Sequence, residues 1–148
     1  MKRHQIVIII CFIIGVFFVT IDETLRSKEP KYIQAKLNDV QLRLETAENS
    51  AEWYQGLSNR TKLCQNCGMI FIFPETAKRT FVMRSMNFSL DIVWVNNYEV
   101  IGFEKSLTPE NEPYTQYKSS SPVNMVIELP AGFIEKNKIE LGTKLIIL

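Results

Sequence analysis

The sequence DIVWVNNYEVIGF, residues 91–103, contains two apolar segments on either side of the pair Asn96-Asn97. β-Branched and aromatic residues dominate both segments, and such residues are enriched in β-strands. Asparagine tolerates the backbone conformation that a tight hairpin turn requires. We therefore predict a β-hairpin with strands Asp91–Val95 and Glu99–Phe103, joined at Asn96-Asn97.

Short apolar segments of the same kind recur along the chain, each ended by Pro, Gly or Asn. The further predicted strands are Tyr32–Leu37, Val40–Leu44, Met69–Phe73, Thr80–Met86, Val123–Leu129 and Lys144–Leu148. A short helix capped by Asn49 or Ser50 is expected to run to about Leu57, and residues 131–137 are long enough for two more helical turns. Because no long helical pattern separates the strands, the sequence predicts a mainly β domain: a compact antiparallel sandwich or barrel with one or two short helices.

The N-terminus carries Lys2 and Arg3, then an uninterrupted apolar run, Ile6–Ile21, and then Asp22 and Glu23. As a helix the run spans roughly 24 Å, slightly less than the ~30 Å hydrocarbon layer, so its length fits a cleaved signal peptide or a short anchor. No Ala-x-Ala motif for signal peptidase precedes the polar segment. We therefore predict an N-terminal transmembrane helix that is retained as an anchor.

The charges on either side of the apolar run predict the orientation of the chain. Basic residues precede the run and acidic residues follow it, which places the globular part outside the cytoplasm. The predicted organisation is a signal-anchor at 1–23, a polar tether at 24–31 and a single β-rich domain at 32–148. The protein would then be single-pass in the cell membrane, with residues 6–21 in the lipid, or secreted if the anchor is cleaved.

Composition excludes several classes of partner and of chemistry. The formal net charge is +1 and the basic residues are scattered, so a nucleic-acid partner is not expected. The only histidine is His4, which precedes the apolar run. The globular part therefore lacks the imidazole that Ser-His-Asp, Cys-His and His-rich zinc sites require. We predict neither a metal nor a cofactor.

The globular part contains one pair of cysteines, Cys64 and Cys67, in a CxxC arrangement. A structural zinc site would need a second pair, which could come only from a dimer. Outside the cytoplasm the two thiols are expected to form a local disulfide that staples a loop. A redox role is less favoured, because the pair follows a helix and leads into a strand rather than opening a helix.

Four charged residues among the apolar strands are candidate ligand-binding residues: Arg60, Arg84, Asp91 and Glu128. Asp91 opens an apolar strand, where a bare charge would be costly, so it is expected to have a partner, with Arg60 or Arg84 as the candidates. Such a pair is more often architectural than ligand-binding. The polar stretch 104–121 is unusually long for a connection and is interpreted as a flap, a ligand loop or an insertion.

Three blocks of sequence resemble the family called domain of unknown function 192, also known as uncharacterised protein family 0127. The first block is Gly56–Arg60 followed by Gly68–Phe73, the second is Phe81–Met86 running into Leu90–Ile92, and the third is Val126–Phe133. The resemblance implies a compact, mainly β domain that is often exported and has no established activity. The family pattern singles out, without known roles, Gly56, Leu57, Arg60, Gly68, Met69, Met83, Leu90, Asp91, Glu128 and Gly132.

The chain also departs from the family pattern. Val82 stands where the family usually has Trp, and Arg84, Ser85 and Met86 stand where it usually has Lys-Asn-Thr. The CxxC is not a general family feature. A ligand pocket formed by the second block would therefore differ from that of most relatives.

These observations support three hypotheses about function. The first is a non-catalytic binding module outside the cytoplasm, in which the four charged residues line a patch for a small molecule, glycan or peptide. The second is a carboxylate-based hydrolase of cell-surface carbohydrate, which requires Asp91 and Glu128 to face one cavity with their carboxyl groups ~5–10 Å apart. The third is a structural partner in a membrane complex.

Overall fold

A computed structural model describes residues 29–148 of the chain, and the predicted transmembrane helix and most of the tether lie outside them. The elements in chain order are β1 (Tyr32–Leu37), β2 (Val40–Ala47), α1 (Ser50–Gln55), β3 (Cys67–Ala77), β4 (Thr80–Phe81), β5 (Leu90–Asn96), β6 (Glu99–Leu107), β7 (Tyr117–Lys118), β8 (Val123–Pro130), α2 (Phe133–Lys136) and β9 (Leu145–Ile147). Neither helix of this part of the chain is long and apolar enough to cross a membrane.

Seven strands form one sheet in the order β6-β5-β8-β3-β2-β1-β9, and β4 pairs with β7 in a separate two-stranded sheet. The large sheet curls until its edges approach each other, where Val100 N donates to Thr143 O (2.9 Å) and Leu145 N to Tyr98 O (2.8 Å). The result is a half-barrel. The mainly β fold with two short helices is therefore confirmed.

One strand pair differs from the antiparallel arrangement that we predicted. β2 and β3 run parallel, with Leu44 opposite Gly68, and all other named pairs are antiparallel. Parallel neighbours need a crossover rather than a tight turn. Here the crossover is the segment 48–66, which contains α1 and brings the chain back to the start of β3. The same crossover lays α1 against one face of the sheet.

The two faces of the sheet carry separate apolar clusters. Val93 and Val95 of β5 lie on the face that α2 covers, which we call the α2 face. Ile92 and Trp94 lie on the opposite face, where α1 and the β4–β7 pair pack, and which we call the α1 face. The strict alternation along β5 follows from the two-residue period of a strand. Both faces are covered, which explains why β5 and β8 are almost continuously apolar.

The structure shows both loops that were predicted as hairpin turns, Asn38-Asp39 and Asn96-Asn97. The β1–β2 loop is Asn38-Asp39, as predicted, since Leu37 pairs with Val40. The β5–β6 loop is Asn97-Tyr98 instead of Asn96-Asn97, because Asn96 pairs with Glu99 and both loop residues have positive φ. The prediction was therefore shifted by one residue.

The predicted strand Thr80–Met86 is only two residues long, and its partner comes from the polar stretch 104–121. β4 pairs with β7, and the backbone groups of Arg79 and Ser119 extend the contact through the bond from Ser119 N to Arg79 O (3.0 Å). Glu110 ties down the preceding turn by accepting from Tyr117 Oη and Thr115 N, each at 2.8 Å. Part of the long stretch is thus ordered by pairing with β4, and Tyr117 packs on the α1 face, which the sequence alone did not indicate.

Candidate functional site

Glu128 lies in the middle of the sheet on the α1 face. Register places it beside Met69 of β3 and Ile92 of β5, and Glu45 of β2 follows Met69 in the same row. The residue is 6% exposed, and within residues 29–148 its Oε2 atom has no hydrogen-bond partner. A buried carboxyl oxygen without a partner is energetically costly, which makes this group the central feature of the site.

The basic residue nearest to this row is committed to another carboxylate. Arg60 binds Glu45 through two parallel hydrogen bonds of 2.7 Å each, a bidentate geometry that holds both side chains. Burial raises the pKa of Glu128 to about 8, and the charge of Arg60 lowers that pKa without offsetting the effect of burial. At neutral pH the Glu128 side chain is therefore mostly a neutral acid that can donate a hydrogen bond.

Glycines shape the backbone around this carboxyl. A Cβ at Gly68 would collide with the carbonyl oxygen of Glu128, so only glycine allows β3 and β8 to approach as closely as they do. Gly56 ends α1 with φ +49°, and a Cβ there would lie 3.4 Å from Phe71 Cζ and 3.9 Å from Glu128 Oε2. These close contacts give a physical reason why both positions are glycine in the family pattern.

A cavity of about 410 Å³ opens between α1, β4 and the α1 face of the sheet, with Glu128 in its wall. Aromatic rings form much of its lining: Trp53 lies against Phe73 with ring centroids 4.9 Å apart, and Phe71 meets Phe81 edge-on at 4.8 Å. Trp53 Nε1 donates to Ala47 O at 2.9 Å, which fixes that ring on the end of β2. These rings therefore form an aromatic wall that is held in place, and polar side chains form the rest of the lining.

Three basic residues, Lys78, Arg79 and Arg84, complete the lining on its solvent side. The guanidinium of Arg79 lies 4.0 Å from the centroid of the Phe73 ring, and that of Arg84 lies 3.7 Å from the Tyr54 ring. Arg84 also donates to Tyr54 O. Within residues 29–148 none of the three pairs with a carboxylate, and the buried Nε of Arg79 has no acceptor.

Asp91 occupies the other face and has a structural role. Its carboxylate accepts from the backbone N–H groups of Ser106 (2.8 Å), Gly132 (3.1 Å) and Ile134 (2.8 Å), and the residue is fully buried. It thereby caps α2 and ties that helix to β6. The prediction of an arginine partner for Asp91 is wrong, because three backbone N–H groups bind the carboxylate instead.

The structure also shows that Asp91 and Glu128 cannot form the acid–base pair that the hydrolase hypothesis requires. Asp91 is opposite Leu129 and Ile92 is opposite Glu128, so the side chains of Asp91 and Glu128 point to opposite faces of the sheet. They cannot act on one bond, and the two-carboxylate hydrolase that depended on them is excluded.

Of the four predicted site residues, the structure brings Arg84 and Glu128 to the cavity. Arg60 lies behind the wall with Glu45, and Asp91 lies across the sheet. Sequence reasoning missed the aromatic walls and Arg79. The resemblance could have indicated part of the aromatic wall, because the blocks Gly68–Phe73 and Phe81–Met86 contribute to the lining. Arg79 and Trp53 lie outside the blocks and had no such signal.

The structure joins Cys64 and Cys67 by a disulfide at the entrance to β3. Neither cysteine lines the aromatic cavity. The bond closes a turn in which Cys67 N also donates to Cys64 O at 3.0 Å. This is the arrangement expected of a local staple.

Comparison with known proteins identifies the family. The family model of domain of unknown function 192 (DUF192), described as "Uncharacterized ACR", matches residues 33–147. The chain belongs to the DUF192 family. No protein with a curated description matches the chain.

Two solved structures share the fold of this DUF192 protein. One, from Sinorhizobium meliloti 1021, is described as a "putative transcription regulator"; it is 23% identical with a TM-score of 0.77, over 82% of this chain and 97% of that one. The other, from Novosphingobium aromaticivorans DSM 12444, is described as a protein of unknown function; it is 26% identical with a TM-score of 0.71, over 82% of this chain and 87% of that one. The first likeness shows the fold alone, and neither description assigns an activity to the cavity.

Proposed function

We propose that this DUF192 protein is a non-catalytic binding module, held at the outer surface of the cell membrane, whose aromatic cavity takes a small molecule or the end of a glycan or peptide. The observation that carries the proposal is Glu128, which lines the cavity and whose buried Oε2 has no partner among the described residues. A ligand with a matching polar atom would supply the missing hydrogen bond.

The size and lining of the cavity support a small ligand. About 410 Å³ falls within the usual range of small-molecule sites, roughly 300–1,000 Å³. Such sites are mostly apolar with a few polar groups that fix orientation. Trp53, Phe71, Phe73 and Phe81 supply much of the apolar surface here, while Arg79, Arg84 and Glu128 are among the polar groups.

Binding is favoured over catalysis because the chemistry of the lining is limited. Among residues 29–148, Glu128 is the single carboxyl group of the lining, and no histidine or cysteine contributes to it. The hydroxyl of Ser58 donates to Arg84 O at 2.9 Å, so its proton is directed at a carbonyl oxygen rather than at a base. The lining therefore offers recognition rather than a nucleophile with a base.

The membrane location in this proposal rests on the sequence of residues 1–23. Protease digestion of intact cells is expected to remove the globular domain while leaving the N-terminal segment in the membrane fraction. Full protection of the domain in intact cells would refute the orientation, and recovery of the domain in the medium would refute the anchor.

Ligand binding is tested by thermal unfolding of the full-length chain in mild detergent against a library of small acids, amines, sugars and short peptides. A compound of the right class is expected to raise Tm for the wild type and much less for Arg84→Ala. Arg43→Ala is the matched control, because Arg43 also stacks on a tyrosine, 3.9 Å from the Tyr32 centroid, but lies outside the cavity lining. The proposal fails if no class stabilises the wild type more than the Arg84→Ala variant.

A further inference from the structure

The charges of the aromatic cavity are arranged by depth. Lys78 is exposed, Arg79 and Arg84 are half-buried, and Glu128 is almost fully buried. A ligand entering from solvent therefore meets three cations before it reaches one carboxyl group. Because no carboxylate of residues 29–148 pairs with these cations, they attract an anion and repel a cation.

Two buried atoms of the lining lack a partner within the described part of the chain, Arg79 Nε and Glu128 Oε2. The first is always a hydrogen-bond donor. The second is a donor as well while Glu128 stays protonated, which burial favours. Both positions therefore call for acceptor atoms on the ligand, one near the mouth and one at the closed end.

The arginine near the mouth is already held in position. Arg79 Nη2 donates to Glu75 O at 2.6 Å, its guanidinium lies over Phe73, and its backbone N donates to Ser119 Oγ at 3.0 Å. A guanidinium fixed in this way can bind a carboxylate with little loss of side-chain entropy. Tilted and edge-on ring pairs line the same cavity as Arg79 and Glu128, and such rings pack well against a flat apolar group.

We propose that the ligand is a small organic anion with a flat apolar body, whose carboxylate binds Arg79 and Arg84 and whose inner end presents an acceptor oxygen to Glu128. This assignment of ligand class rests on the proposed function of the cavity as a binding site. An amine would have to pass the three cations and would need Glu128 in its charged form, so it is the competing class that the experiment must separate.

The test uses three probes of one shape, 4-methoxyphenylacetate, 4-methoxyphenylacetamide and 4-methoxyphenethylamine, titrated by calorimetry into the full-length chain in detergent. The acid is expected to bind about tenfold or more tightly than the amide, as for one charge-assisted contact, and the amine more weakly than either. Arg79→Gln should lower the affinity for the acid towards that for the amide, with Arg84 keeping part of the difference, and should change the affinity for the amide much less. Arg84→Gln is the second variant, and Arg43→Gln is the control that should behave as wild type.

A pH series tests the role of Glu128 independently. Because only the protonated carboxyl donates to the methoxy oxygen, affinity for the acid should fall by up to about 30-fold between pH ~6.5 and pH ~9.5. Glu128→Gln keeps a donor and should show no such fall. The other charged or titratable groups near Glu128 are common to both proteins and cancel in this comparison: Glu45, Arg60, Lys78, Arg79, Arg84, Tyr54 and Tyr117.

Different outcomes would contradict the ligand class and the proposed function of the cavity. Tightest binding by the amine, or equal binding of acid and amide, would overturn the anion assignment while leaving the cavity a binding site. Failure of all three probes to bind at millimolar concentration would contradict the proposed function itself. Equal pH dependence in wild type and Glu128→Gln would refute the hydrogen bond to the inner acceptor.

Discussion

Replacing Glu128 by glutamine should change how the stability of the domain depends on pH. The folded state holds the Glu128 proton up to a pKa of about 8, whereas the unfolded chain releases it near the ordinary value of 4.5. The contribution of protonated Glu128 to the free energy of unfolding is therefore complete below pH ~4.5. Above that pH it falls by ~1.4 kcal/mol per pH unit, and it stops falling above pH ~8. Integrated from pH ~5 to pH ~7, this loss is about 2.5 kcal/mol.

The assay is urea unfolding of the full-length chain in detergent, followed by the fluorescence of Trp53 and Trp94 across this pH range. The wild type should lose about 2.5 kcal/mol more than Glu128→Gln between the two values, since glutamine does not titrate. Glu99→Gln is the control, because Glu99 forms an exposed pair with Lys144 and should keep the wild-type profile. Parallel profiles for wild type and Glu128→Gln would refute the claim that burial keeps Glu128 protonated.

Three further predictions concern groups that hold the scaffold. Asp91→Asn should lower the free energy of unfolding by about 3 kcal/mol, because an amide nitrogen would face backbone donors that now bind a carboxylate. A loss below ~0.5 kcal/mol in urea unfolding would contradict this capping role. Arg60→Gln should lower the free energy of unfolding by about 1–2 kcal/mol, since it leaves Glu45 without its bidentate partner, while partial exposure screens the pair. This loss should be smaller in high salt, and a loss that does not change with salt would contradict a role for the ion pair. Reduction of the Cys64–Cys67 disulfide should lower the free energy of chemical unfolding by at most ~2 kcal/mol, as expected for so short a loop, and should leave ligand affinity unchanged. A large loss of affinity would contradict a purely structural role for the disulfide.

Much of the fold could be predicted from local sequence because it depends on local preferences. β-Branched and aromatic segments such as the one at 91–95 form strands wherever they pack, and Asn38-Asp39 sets a turn through its own backbone tolerance. Asn97-Tyr98 shows the limit of this reasoning, since the register of the two strands, and not the best turn dipeptide, chose the loop. The strand β7 could not be predicted, because its polar sequence is ordered by pairing with β4.

The candidate site was predictable in part for the same reason. The sequence placed Arg84 and Glu128 among apolar segments and so marked them as unusual, but it could not tell which face each side chain would take. One residue of register separates Asp91 from Ile92, and that single step puts Asp91 among the backbone donors of α2 and leaves Glu128 facing the cavity.

By itself, the sequence of this DUF192 protein determined a mainly β domain, its membership of the family and two of its buried charged residues, Asp91 and Glu128, because composition, periodicity and motif order are properties of the chain. Only the tertiary structure decided that Arg60 binds Glu45, that Asp91 caps a helix, and that Glu128 lines an aromatic cavity with one oxygen left without a partner among residues 29–148. Burial and hydrogen bonding are relations between strands that are distant in sequence, and they exist only once the sheet has curled and its register is set.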